Sequence, residues 1–254
     1  MKRKKVFFIT LLIFSMVISG VYYFHKPLTI ISFKLKGYDH KVTPHFVILY
    51  KPHSQDEVPV VAKTAERAYK IVGDDFEYFP KGKTPIIVFP DRESIQRAFN
   101  WPKDENTQGV YYKDIIYIQS PGALIRDDDN LEETFFSKGP LIHEYTHLVV
   151  EHLTKGNCPR WFTEGVAQYE EQRVTGYTLE QDFPIDESYH YSVTEVMTQF
   201  DDLDDVAKAY LQALDMIKTM VGQDGVSEIK EIIALLKDGH LADELYLQRG
   251  SATS

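Results

Sequence analysis

Cysteine is almost absent from this chain. Its 254 residues include a single one, Cys158, so no disulfide can form within the chain. A small secreted protein held together by disulfides is therefore excluded, and stability must come from packing. Hydrophobic residues make up 43% of the sequence, enough for one domain with a sizeable core. The sequence contains no internal repeat and no low-complexity tract, which leaves an ordinary globular domain.

An excess of positive charge is also lacking. The formal net charge is −10 at pH 7, which argues against nucleic acid, or an anionic membrane surface, as a partner of the folded domain. This acidity is compatible with basic substrates, and it is equally ordinary for a solvated extracellular domain. The charge balance therefore excludes partners rather than identifying one, and we predict no nucleic-acid partner.

A long hydrophobic run occurs once, at the N-terminus. The basic residues 2–5 precede an uncharged run of 19 residues, Val6 to Phe24, which is just long enough to span a bilayer. Because basic flanks stay cytoplasmic, the remainder of the chain should face outward. A cleaved signal peptide is the alternative, with a weak cleavage pattern around Ser19. We predict a single-pass cell-membrane anchor over residues 1–26, a stalk with an initial strand over 27–43, and an extracellular domain over 44–254.

Residue patterning in the domain predicts an α+β fold. Alternating or apolar β-branched runs predict strands at Phe46–Tyr50, Pro85–Phe89, Gly109–Tyr112 and Ile115–Gln119, the last two being a strand pair or one kinked strand. Helical spacing of apolar residues predicts helices at Val58–Val72, Asp91–Phe99, Val193–Phe200, Val206–Val221, Gly225–Leu236 and Leu241–Leu247. The segment from Ser120 to Ser137, with acidic residues at 127–129, is predicted to be a solvated loop rather than a calcium site.

The chemistry concentrates in the sequence HEYTH, which places His143, Glu144 and His147 in the order H-E-x-x-H. On a helix, residues four apart lie on one face, so the two imidazoles converge on one point. Imidazole nitrogens suit Zn²⁺, and Glu144 lies beside them, where it can take a proton from a water molecule at the metal. Apolar residues fill the other faces, as a buried helix requires.

A second helix, predicted over Arg160 to Arg173 after a turn at Gly156, carries the third ligand. Glu164 lies one turn into it. If the turn folds the helices antiparallel, the rise of about 1.5 Å per residue brings the Glu164 carboxylate level with the imidazoles. His143, His147 and Glu164 then leave a fourth position open for water, as in a catalytic zinc site. We predict one Zn²⁺ per chain; the other acidic or imidazole residues available as third ligands are Glu151, His152, Glu170 and Glu171.

HEYTH followed by PRWFTEGVAQY resembles the gluzincin group of zinc metallopeptidases, and within it the compact bacterial peptidase MA-like domains. The resemblance implies a zincin-like fold, with an N-terminal mixed sheet and helices, an active-site helix and a helical C-terminal half. The spacing between His147 and Glu164 is shorter than in the better-known gluzincins. Thr163 and Gln168 stand where the thermolysin-like branch has Asn and Asp. Metzincins are excluded, because Leu153 stands where their third histidine would be.

Three further roles are predicted, of which those of Tyr210 and of the strand edge follow from the resemblance. Tyr210, in the sequence YLQA, stands where related families carry a tyrosine that stabilises the oxyanion; the alternative is a core aromatic residue. Gln168 is the candidate partner that orients His143 or His147, and the alternative is a surface amide. The strand edge at 111–119 resembles the edge to which zincins add an extended peptide.

The sequence therefore predicts a membrane-anchored, outward-facing zinc metallopeptidase. Its substrate would be a peptide or protein, hydrolysed by zinc-activated water with Glu144 as the general base. Two alternatives remain: a zincin-fold binding or regulatory module without turnover, and a zinc hydrolase that acts on a non-peptide amide of the cell envelope.

Overall fold

A computed structural model describes residues 25–102, 107–126, 129–181, 190–222 and 224–250. The predicted anchor run Val6–Phe24 and the acidic residues Asp127 and Asp128 lie outside these ranges. Within the ranges, no helix combines the length and the apolar character needed to cross a bilayer.

One five-stranded mixed sheet forms the N-terminal half, in the spatial order β1-β2-β3-β5-β4. Its strands are β1 (Asp39–Val42), β2 (Phe46–Tyr50), β3 (Thr84–Phe89), β4 (Gly109–Tyr112) and β5 (Ile115–Gln119). The central strands β2, β3 and β5 are parallel, whereas β1 and β4 run antiparallel to their neighbours. Every residue of β3 and β5 is buried, which explains their continuous apolar sequences, since both faces of a parallel sheet are covered.

The strand pair predicted at 109–119 is confirmed as a hairpin. Lys113 and Asp114 form its two-residue turn, and both have left-handed backbone angles, with φ of 48° and 63°. Such turns match the twist of the paired strands. The hairpin places β4 at one edge of the sheet.

The segment predicted as a stalk is joined to the sheet. Residues 25–35 are helical (α1), and β1 pairs with β2. The rings of Phe33 and Tyr38 are buried and pack edge-on against Phe89, at centroid distances of 5.9 and 6.5 Å. The prediction of an initial strand is therefore confirmed, but residues 27–43 pack on the domain instead of extending away from it. The contacts that hold this segment on the sheet join residues that are far apart in sequence, so a local pattern does not predict them.

The helices of the first half include two differences from the prediction. A short 3-10 helix (Pro52–Glu57) leads into α2 (Val58–Phe76), which continues past its predicted end at Gly73. That glycine serves a close approach instead, because a Cβ on it would lie 2.2 Å from the Phe79 ring. After α3 (Arg92–Phe99), which Asp91 caps as predicted, the predicted loop from Ser120 contains two helices, α4 (Pro121–Leu124) and α5 (Leu131–Lys138). Burial of Phe135 and Phe136 orders α5.

The C-terminal half is helical, as predicted. It begins with α6 (Leu141–Thr154) and α7 (Arg160–Thr175), and continues through α8 (Val193–Gln199), α9 (Val206–Val221), α10 (Val226–Lys237) and α11 (Ala242–Gly250), with short 3-10 helices at Leu179–Gln181 and Phe200–Asp202. The predicted α+β class is therefore confirmed. Side chains alternate across the sheet: Ile48, Ile86 and Ile116 face the core shared with α6, while Leu49 and Ile87 face a smaller core under α1 and α3.

Candidate metal centre

Helix α6 is held in the core by its apolar faces, and this fixes the direction of its two histidines. Tyr145, Leu148 and Val149 are almost completely buried, so the remaining face of the helix is turned toward a cleft beneath β4. His143 and His147 occupy that face, with ring centroids 4.8 Å apart. The spacing of four residues therefore brings the imidazoles together as the sequence predicted.

Helix α7 supplies a carboxylate to the same point. Lys155 and Gly156 turn the chain with φ of 56° and 78°, and α7 then returns antiparallel to α6. The Glu164 Oε2 atom lies 3.1 Å from His143 Nε2 and 3.4 Å from His147 Nε2. The three potential ligand atoms lie within 4.8 Å of one another. Two imidazoles and one carboxylate form a donor set that suits a divalent metal such as zinc.

The outer nitrogens of the two rings have partners of their own. His147 Nδ1 lies 2.8 Å from Thr163 Oγ1, and His143 Nδ1 lies 3.3 Å from Glu171 Oε2. Acceptors at Nδ1 hold the hydrogen there and leave Nε2 free to bind a metal, which is the usual arrangement around ligand histidines. The sequence predicts Glu171 only as an alternative ligand and identifies Thr163 only as a departure from the thermolysin-like pattern. The sequence signal for these two contacts was the position of both residues on α7, on the side that faces the HEYTH helix.

The pKa values of Glu164 and His143 depend on each other's charge. Burial by itself would raise the pKa of Glu164, but His147, His143 and Arg160 hold that pKa well below its ordinary value. Burial by itself would lower the pKa of His143, but the hydrogen bonds to Glu164 and Glu171 raise it well above its ordinary value. Glu164 and His143 therefore favour their charged forms together, so a cation that binds here would compete with a proton on His143.

Glu144 lies on the same helix, directly against β4. Its side chain is 6% exposed, and burial raises its pKa, opposed by His143, His147 and a hydrogen bond from the Tyr111 backbone. The strand comes close because residue 109 is glycine: a Cβ there would lie 2.7 Å from Pro140 and 3.0 Å from Glu144 Oε1. A buried carboxyl group with a raised pKa is the kind of group that exchanges protons near neutral pH.

Arg160, which sequence reasoning did not single out, connects the metal cluster to a tyrosine. Its Nη2 atom lies 2.8 Å from Glu164 Oε1 and donates to the Tyr210 hydroxyl at 3.3 Å. Glu164 therefore presents one oxygen to the histidines and the other to Arg160. Tyr210, which stacks on Phe200, lines the cleft. The only signal for Arg160 in the sequence was its position one helical turn before Glu164.

Gln168 has a different contact from the predicted one. Its amide donates to the backbone carbonyl of Tyr210 at 2.7 Å, and Thr163 and Glu171 lie at the outer histidine nitrogens. Gln168 thus ties α7 to α9 at the level of Tyr210. Among the alternative third ligands, His152 lies against Tyr78 and Asp114, and Glu170 pairs with Arg173, both away from the cluster.

The cleft around these residues has a volume of about 1020 Å³ and runs along β4. Phe99, Trp101, Lys113, Glu151 and Cys158 are among the residues that line it. Burial raises the pKa of the Cys158 thiol well above its ordinary value, so it is a neutral wall residue rather than a thiolate ligand.

A mixed sheet, a helical C-terminal half and a His/His/Glu cluster beside a buried glutamate define a metallopeptidase-like protein. The model of the Peptidase MA superfamily matches residues 75–249, and the chain belongs to that family. The resemblance drawn from HEYTH and PRWFTEGVAQY is thus confirmed. No curated protein sequence matches the chain. Among solved structures, it is similar to an aminopeptidase N family protein from Idiomarina loihiensis, with 15% identity and a TM-score of 0.40; the match covers 85% of this chain and 41% of that one.

Proposed function

We propose that this protein is a membrane-anchored, outward-facing zinc metallopeptidase that hydrolyses peptide bonds. The observation that carries the proposal is the convergence of His143, His147 and Glu164 beside the buried carboxyl group of Glu144. The basic residues 2–5 and the uncharged run that follows them support the anchor and the outward orientation.

His143 and His147 would hold the zinc through Nε2, and Glu164 through Oε2. Bound there, zinc supplies a Lewis acid for the scissile carbonyl and for the attacking water. Thr163 and Glu171 would keep the two rings in the ligand tautomer, because the hydroxyl oxygen beside His147 Nδ1 and the carboxylate oxygen beside His143 Nδ1 can each accept the hydrogen of an outer nitrogen. Arg160 lies 2.8 Å from the second oxygen of Glu164 and balances part of its charge.

Glu144 is the proposed general base. It accepts a proton from the attacking water and then donates it to the amine that leaves. Its raised pKa, set first by burial, makes the carboxylate a stronger base than an exposed glutamate. The same burial keeps the proton on the carboxyl group until the leaving amine takes it.

Tyr210 is the proposed donor to the oxyanion. Because its hydroxyl oxygen accepts a hydrogen bond from Arg160, its own hydrogen is turned away from the guanidinium and is free to point into the cleft. Burial raises the pKa of Tyr210 above its ordinary value, and Arg160 opposes this rise only in part. The phenol therefore stays protonated, and the neighbouring cation strengthens its hydrogen bond. Arg160 therefore acts through Tyr210 as a positioning residue.

The β4 edge is the proposed binding surface for the peptide. It is the last strand of the sheet and lies beside Glu144, so an extended peptide that paired with its outer edge would pass the metal cluster. The antiparallel hairpin and its tight turn hold this edge rigidly.

The proposal is tested on the full chain in detergent or liposomes by metal analysis combined with a peptide-library cleavage screen. We expect one equivalent of zinc and cleavage that a chelator abolishes and added zinc restores. Zinc without cleavage of any peptide would favour the regulatory module, and cleavage of cell-wall amides alone would favour the non-peptide hydrolase.

Replacing Arg160 by Met should lower kcat about tenfold, since one charge-assisted hydrogen bond to Tyr210 contributes roughly 1.5 kcal/mol. KM should change little; because Glu164 loses a partner as well, the rates are compared at saturating zinc. In a Tyr210→Phe background, the same replacement should have a clearly smaller effect, which a double-mutant cycle measures. Arg67→Met is the matched control, because Arg67 pairs with Glu133 away from the cleft. An equal loss in both backgrounds would show that Arg160 does not act through Tyr210.

A further inference from the structure

The start of α1 is attached to the tip of the β4–β5 hairpin. His25 Nε2 donates to the backbone carbonyl of Lys113 at 2.6 Å, and Lys26 Nζ lies 3.2 Å from Asp114 Oδ2. Asp114 also bonds to His152 on α6, and this contact, with Lys26, lowers the pKa of Asp114 to about 2. The first turn of α1 is thus tied through the hairpin to the metal-binding helix.

This attachment sets the distance between the apolar N-terminal run and the cleft. His25 directly follows Phe24, the last residue of the run, and Lys113 lines the cleft beside Glu151. One Cα–Cα step and one imidazole side chain separate the end of the run from Lys113, a distance on the order of 10 Å. If the run spans a bilayer, the part of the cleft that Lys113 lines therefore lies at the bilayer surface.

The outer face of α1 has the composition of a membrane-contacting helix. Leu28, Ile31 and Leu35 are 56%, 52% and 84% exposed, and their spacing of three and four residues places them on one stripe. Phe33 packs inward on the sheet. Large exposed aliphatic side chains in one stripe are unfavourable in water and favourable in the headgroup region of a bilayer.

Charge complementarity supports the same surface. Lys34 and Lys36 flank the stripe and are exposed, whereas the charge of Lys26 is paired with Asp114. Basic residues beside an apolar stripe attract anionic lipid headgroups within a Debye length. The chain as a whole is acidic, with a net charge of −10, so this local basic edge gives the domain a preferred side to turn toward the membrane.

We propose that α1 lies on the bilayer surface and that the cleft acts on peptide segments held close to that surface, such as the juxtamembrane stretches of membrane-tethered substrates. The proposal rests on the proposed peptidase function and on the N-terminal anchor. It specifies where a substrate must be presented: the scissile bond lies near the membrane, because Lys113, which lines the cleft, is held there by His25.

The first test uses the full, zinc-loaded chain in liposomes of phosphatidylcholine and phosphatidylglycerol. Fluorogenic peptides are tethered to lipid through spacers of about 5 or about 30 residues. We expect the short-spacer peptide to be cleaved at least about tenfold faster. A variant with four EAAAK repeats inserted between Phe24 and His25, and with Leu28, Ile31 and Leu35 replaced by Ser, frees the cleft to move up to about 30 Å from the surface and should lose the preference. Equal rates for both spacers in both proteins would overturn the proposal.

The second test does not depend on hydrolysis. In a Cys158→Ala background, a fluorophore is attached at Ile31→Cys, Lys113→Cys or Lys138→Cys, and quenching by brominated lipids is measured. We expect strong quenching at 31, intermediate quenching at 113 and none at 138, because Lys138 precedes α6, about 20 Å away along that helix. Quenching in this order without any cleavage would contradict the peptidase function but not the membrane placement. Absence of quenching at 31, or release of the chain from the membrane by cleavage after the apolar run, would refute the placement.

Discussion

Glu144→Gln is expected to lower the rate of peptide hydrolysis about a thousandfold while the protein keeps its zinc. The amide has the shape of the carboxylic acid but accepts no proton from water, so the general base is lost. The ligand cluster should be unaffected, because Glu144 is not among the three groups that converge on the metal. Steady-state kinetics and metal analysis of the same preparations measure both effects.

The control for this prediction is Glu151→Gln. Glu151 lies on the same helix and lines the same cleft, so its replacement removes an equal charge without touching the proposed base. It should retain most of the activity. If Glu144→Gln keeps more than about a tenth of the wild-type rate with zinc bound, Glu144 is not the base, and a different residue must accept the proton.

His147→Ala and Glu164→Gln are each expected to abolish stoichiometric zinc binding, from one equivalent to a small fraction of one. Three protein ligands are the minimum for a tight catalytic zinc site. Loss of either group also leaves the neighbouring ligand groups without a partner, or beside a group of the same charge. Metal analysis after gel filtration gives the stoichiometry, and competition with a fluorescent chelator gives the affinity.

Two variants calibrate this result. Thr163→Val removes the acceptor at His147 Nδ1 and should weaken zinc binding about tenfold without removing a ligand. His152→Ala alters a histidine of the same helix that lies against Tyr78 and Asp114, and it should keep the full equivalent of zinc. Retention of zinc by His147→Ala would contradict the site.

Zinc affinity should also depend on pH in a defined direction. The pKa of His143 is raised in the metal-free site, by Glu164 and Glu171 against the effect of burial, so a proton competes with the metal up to a higher pH than for an ordinary histidine. Affinity should therefore rise with pH through neutrality and fall in acid. Glu171→Gln removes one of the groups that hold the proton and should shift this dependence to lower pH.

Sequence patterns predicted the strands and helices well because each pattern is local. The buried strand at 115–119, the cap at Asp91 and the two helices around HEYTH and PRWFTEG all follow from spacing within a few residues. The predictions that were wrong depend on contacts outside the local pattern. Gly73 reads as a helix stop in isolation, but in the fold it makes room for the Phe79 ring. The segment from Ser120 reads as a loop, but burial of Phe135 and Phe136 makes part of it helical.

The sequence by itself determined that His143 and His147 share one face of a helix, since residues four apart do so, and it predicted Glu164 at their level on the condition that the turn at Gly156 folds the two helices antiparallel. Only the tertiary structure decided which groups surround that cluster. The contacts of Arg160 with Tyr210 and of Glu171 with His143, and the attachment of α1 to the hairpin, join residues 28 to 88 positions apart. Such contacts depend on how whole elements pack, and no periodicity within one element encodes them.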